Sequence, residues 1–93
     1  MKPELSITDL RALELIDFLK ANGIVKSKKE LCNIINESNL AVLHQQHLPQ
    51  IAQGKQRFTL SHIEAICKIF NVNANWLMGF DDKMFRPISI LKK

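Results

Sequence analysis

Residues 27–70 read SKKELCNIINESNLAVLHQQHLPQIAQGKQRFTLSHIEAICKIF, and the spacing of their apolar residues decides for helices. Ser27 and Glu30 stand three apart, the separation at which a hydroxyl and a following carboxylate satisfy the first free amides of a helix. Leu31, Ile34 and Ile35 continue with an i, i+3, i+4 stripe, so a helix is predicted from there to about Asn36. At the far end Leu60, Ile63, Ile66, Cys67 and Phe70 line one face of another helix. It opens at Thr59 and closes at Asn71, a residue that tolerates the left-handed conformation. Residues 37–43, ESNLAVL, fit a loop, an extra turn or the start of the next helix.

Outward from this stretch, Thr8 and Asp9 are suitable caps for a first helix ending near Asn22 and Gly23. Ala12, Leu13, Ile16 and Leu19 form its buried side, which Leu15 and Phe18 widen. Asn73 suits the start of a short last helix holding Trp76, Leu77 and Met78 and stopped by Gly79. No strict alternation of a strand occurs before residue 84, while Ile88 and Ile90 after Pro87 allow a short extended arm. The expected fold is all-α: a compact bundle of about five short helices containing a helix-turn-helix, with a short C-terminal tail. At 93 residues one domain is expected, with a core over 9–79 and the tail over 80–93.

Hydrophobic residues make up 46% and charged residues 24%, a globular balance rather than that of a disordered or membrane chain. No apolar run reaches membrane-spanning length, and MKPELSITDL lacks the basic-then-apolar order of a secretory signal, so a cytoplasmic protein is expected. Cys32 and Cys67 match no metal-ligand spacing and fall in apolar helical stretches, which reads as two free, buried thiols. The net charge of +4 is unevenly placed. Lys20, Lys26, Lys28, Lys29, Lys55 and Arg57 face only Glu30 and Glu37 between residues 20 and 57, whereas residues 1–19 carry Lys2 and Arg11 against Glu4, Asp9, Glu14 and Asp17. An anionic partner would meet the middle of the chain.

That middle holds HQQHLPQIAQGKQR, His44 to Arg57. As a helix, it would gather His44, Leu48, Ile51 and Ala52 on one side and Gln45, Gln46, Gln50 and Gln53 on the other. A solvated face ordinarily carries Lys and Glu; side-chain amides instead donate and accept at once, the chemistry that pairs with adenine N6 and N7 in the major groove. Gly54 follows as a stop, after which Lys55 and Arg57 are placed to grip phosphates. Lys28 and Lys29 at the start of the second helix offer a further phosphate contact, and His47 a polar or phosphate contact. Pro49 costs roughly 3 kcal/mol inside a helix but is tolerated in a first turn. A helix beginning near His47 would keep Gln50 and Gln53 and move Gln45 and Gln46 into the preceding loop. The connection from the second helix is longer than the ~3–4 residues of an ordinary helix-turn-helix.

In the order SKKELCNII, QQHLPQIAQGKQR and TLSHIEAICKIFNVNANWLMG, residues 9–79 resemble the lambdoid repressor and Cro family of helix-turn-helix proteins. The resemblance implies sequence-specific binding of double-stranded DNA by a transcriptional regulator, most often a repressor acting as a homodimer on paired half-sites. It places Gln45, Gln46 and Gln50 on base-contacting positions and Lys28, Lys55 and Arg57 on positions near the backbone. Since the chain shows no separate dimerisation domain, Phe80, Met84, Phe85, Ile88, Ile90 and Leu91 are the expected contact with a partner, or else a tail folded on its own core.

Other features read more plainly. His44 and His47 could form a metal pair but lack further ligands, so no metal or cofactor is expected; His44 reads as a core-edge residue. His62 reads as a surface residue of the fourth helix, Trp76 as a core plug, and Asp81 with Asp82 as a solvated pair. No phosphate-binding loop, zinc-protease motif or nucleophile elbow is present, so catalysis and a small-molecule ligand are not expected. The rival reading is an adaptor that keeps the fold and binds protein instead of DNA.

Overall fold

The computed structural model describes residues 5–86. Five helices follow in order: α1 Ile7–Ala21, α2 Lys28–Glu37, α3 His47–Ala52, α4 Leu60–Phe70 and α5 Ala74–Leu77. Among the described residues there is no strand, only an isolated antiparallel bridge between Val72 and Phe85. The all-α bundle expected from the sequence is the fold. No helix among the described residues is long and apolar enough to cross a membrane.

α1 is the hub, packing on α2, α3 and α5, while α4 packs on α2. Its buried positions Ala12, Leu15, Ile16 and Leu19 recur at helical spacing and meet Leu31 and Ile35 of α2, Leu48 and Ile51 of α3, Ile63 and Ile66 of α4 and Leu77 in one cluster. Trp76 joins that cluster as a core residue, with the Arg11 guanidinium 5.1 Å from its ring centre. Arg11 Nη1 also donates to the carbonyl oxygens of Trp76, at 2.6 Å, and Asp81, at 3.1 Å, tying α1 to the end of α5.

The helix ends follow local chemistry, with corrections. Ser6, not Thr8 or Asp9, caps α1: its Oγ accepts from the Asp9 N–H at 3.1 Å. Ser27 caps α2 as expected, but the Glu30 carboxylate reaches one residue beyond the usual capping box, to the Lys26 N–H at 2.6 Å. Thr59 caps α4, and His62 takes the place of the usual glutamate by accepting the Thr59 N–H on Nδ1. Asn71 closes α4 at φ 59°, in the left-handed region as predicted. Gly79 has φ 89°, and a Cβ there would lie 3.3 Å from the Ile7 side chain, so both backbone and packing call for glycine.

The connection over 38–46 is neither helix nor free loop. Ala41 and Leu43 are buried while Val42 and His44 are exposed, an extended alternation. Asn36 clamps it: its amide accepts the Leu43 N–H at 2.7 Å and donates to the Leu43 carbonyl at 3.0 Å. His62, only 8% exposed and therefore no surface residue, donates from Nε2 to the Val42 carbonyl at 2.7 Å while Nδ1 accepts at Thr59. One neutral imidazole thus joins the connection to the start of α4.

The segment after α5 turns back on its own chain. The Asn73 N–H donates to the Met84 carbonyl and the Arg86 N–H to the Asn71 carbonyl, while Met84 and Phe85 sit half-buried against the core and Phe85 packs on Phe18. These two residues thus fold against their own core; Ile88, Ile90 and Leu91 lie outside the described residues. Asp81 is not merely solvated either: the Asn73 amide and then the Lys83 N–H donate to its carboxylate and hold it below the usual carboxylate range.

Candidate nucleic-acid interface

α3 spans six residues, and its shortness resolves the difficulty of Pro49. The proline occupies the third helical position, inside the first turn, where its missing N–H deprives the helix of no bond. Gln45 and Gln46 lie in the turn before it, shaped by tight bonds from the His47 N–H to the His44 carbonyl and from the Leu48 N–H to the Gln45 carbonyl. His44 and Ala52 are exposed, so the core side of α3 is Leu48 and Ile51 alone. The His44 N–H donates to Nδ1 of His47 at 3.4 Å, which leaves the ring proton of the neutral side chain on Nε2 as a donor.

The helix ends in a Schellman arrangement at Gly54, φ 79°, in which the Gly54 N–H reaches the Ile51 carbonyl and the Lys55 N–H the Gln50 carbonyl. This turn brings Gln56 back beside α3, where its Nε2 donates to Oε1 of Gln50 at 2.7 Å. Gln50 is half-buried, while Gln45, Gln46 and Gln53 are exposed. Gln56 was absent from the sequence-derived set; its only signal was a further amide in the loop after Gly54.

The positive groups divide into three. Lys28, at the start of α2, lines a groove together with Gln45 and Gln46, so the structure joins these three. Lys29 and Lys55 are exposed, and among the described residues neither has an acidic partner. Arg57 does: its Nε donates to Oδ2 of Asp9 at 3.3 Å, although its side chain stays 72% exposed. The other oxygen of Asp9 accepts the Phe58 N–H at 3.1 Å. A carboxylate read from the sequence as a cap is thus only 3% exposed and fastens the chain after α3 to α1.

Compared with the models of known protein families, with curated proteins and with solved structures, the chain matches none.

No three histidine, cysteine, aspartate or glutamate side chains converge on a metal position among the described residues. Both cysteines are free, Cys32 buried and Cys67 half-buried. Burial pushes each thiol above its ordinary value, the Arg86 charge partly offsetting this at Cys67, which disfavours the reactive thiolate.

Proposed function

We propose that this protein binds double-stranded DNA sequence-specifically as a transcriptional regulator of the repressor type. The observation that carries the reading is the surface around α3: five glutamine amides, at positions 45, 46, 50, 53 and 56, with Lys28 in one groove with Gln45 and Gln46 and Lys55 just after the helix, neither with an acidic partner among the described residues. Amides read base edges, and unpaired lysines displace counterions from phosphates. Gln50 is the base reader proposed first, because the bond from Gln56 favours one orientation of its amide before DNA arrives. Arg57 keeps a secondary role at the backbone, since Asp9 already engages its Nε.

Gln50→Ala is expected to cost about 1–3 kcal/mol on the preferred duplex and to relax preference at one base pair, with little change on random duplex. Gln56→Ala should weaken preference at that same base pair, and the double variant should lose less than the sum of the two. Fluorescence-anisotropy titrations on single-position duplex variants measure this; equal losses on preferred and random duplexes would reject base reading by Gln50. Replacing Lys28 or Lys55 by alanine should weaken all duplexes alike and reduce the slope of log affinity against log salt by about 1. Slopes unchanged in both variants would place the DNA on another face.

The assembly proposed is a two-fold dimer on paired half-sites. The surface proposed for a partner is that of Phe80, at 81% the most exposed large apolar side chain among the described residues. Phe80→Asp should shift sedimentation toward the monomer and reduce cooperativity on a palindromic duplex without lowering the unfolding midpoint. A variant that dimerises like the parent would remove this surface from the account.

A further inference from the structure

The groove that Lys28 shares with Gln45 and Gln46 has a volume of about 670 Å³, within the ~300–1,000 Å³ common for small-ligand sites. Leu13 and Ile16 of α1 and Leu48, Pro49 and Ala52 of α3 give it an apolar floor. Asp17 on α1 and Lys28 on α2 line it as well, opposite charges that form no ion pair with each other. Gln45 and Gln46 complete the lining with two amides, each able to donate and accept. The complement of that lining is an ammonium for Asp17, a carboxylate for Lys28, a peptide group for the glutamines and hydrocarbon for the apolar side chains.

We infer that this groove binds a short apolar peptide with free termini, two or three residues long. Hydrocarbon against the apolar side chains supplies most of the affinity, because each solvent-exposed charge pair adds only a few-fold; the two termini set the orientation. The inference extends to regulation and there rests on the DNA-binding reading: Lys28, Gln45 and Gln46 serve both ligands, so peptide and duplex exclude one another.

The test is an amide NMR titration of the full ¹⁵N-labelled chain with the dipeptide Leu-Phe, its N-acetyl and C-amide forms, and Gly-Ser as a polar control. Leu-Phe should give saturable shifts centred on residues 13–17 and 48–52, either blocked form should bind about 2–5-fold more weakly, and Gly-Ser should give none. Ala52→Phe, at an exposed position, should fill the groove and abolish the shifts while the thermal midpoint is kept. No saturable shift, or shifts undiminished in Ala52→Phe, would overturn the inference. The duplex arm separates the two readings. A protein that binds DNA but not Leu-Phe overturns the groove and leaves the DNA reading. One whose groove takes Leu-Phe but which binds no duplex supports the groove and removes the DNA reading. Simultaneous binding of both without competition overturns the exclusion.

Discussion

Asp9→Ala is expected to destabilise the fold by about 2–4 kcal/mol, although Asp9 touches no proposed ligand. Its carboxylate is almost wholly enclosed and accepts from the buried Phe58 N–H and from Arg57 Nε. Alanine would leave that N–H without an acceptor, a loss of about 1–3 kcal/mol, and would also remove a charge-assisted bond. Asp9→Asn keeps an oxygen for Phe58 and should cost about 1 kcal/mol. Arg57→Ala, at an exposed side chain, should cost no more than about 1 kcal/mol. Denaturant midpoints for the three variants give the ordering directly. An Asp9→Ala chain within about 0.5 kcal/mol of the parent would show that the α1-to-loop tie is not structural. Because the same loop carries Gln56, the Asp9 variants should also loosen the orientation of Gln50.

Leu43→Ala should cost about 2–5 kcal/mol, the range for deleting a fully buried leucine side chain. Leu43 is the apolar anchor of the extended connection, and the two Asn36 bonds hold its backbone while its side chain fills the core. Removing the anchor leaves a cavity beneath the segment that delivers Gln45 and Gln46. Val42→Ala is the matched control: its side chain is 64% exposed and its carbonyl, not its side chain, meets His62, so a change within about 0.5 kcal/mol is expected. Equal melting behaviour of the two variants would mean that the connection is not packed as described.

The helices were legible in the sequence because their signals are local. Ser27 before Glu30, Asn71 after Phe70 and the i, i+3, i+4 stripes each depend on residues within one turn. Pro49 carried its own correction, since a proline fits only the first turn and so fixes the start of α3 near His47. Long-range pairings were not legible. Asp9 and Phe58 are 49 positions apart, and His62 is 20 from Val42, so a buried carboxylate read as a cap and a buried imidazole read as surface. Periodicity also tells which face a residue shares but not whether a neighbour covers it. Leu60 shares the core face of α4, yet at its first turn nothing overlies it and it is 69% exposed. The glutamine and lysine positions of the candidate site could be named from the sequence; the Gln50–Gln56 bond and the half-commitment of Arg57 required the turn at Gly54 and the tie to α1.

Binding selection on a pool of random duplexes, at fixed moderate salt, tests the DNA reading most directly. The account predicts that a common motif is recovered and that repeating the selection with Gln50→Ala erases preference at one position while the rest of the motif remains. A pool that gains no motif through successive rounds, with a folded protein whose affinity is indifferent to sequence, would contradict it.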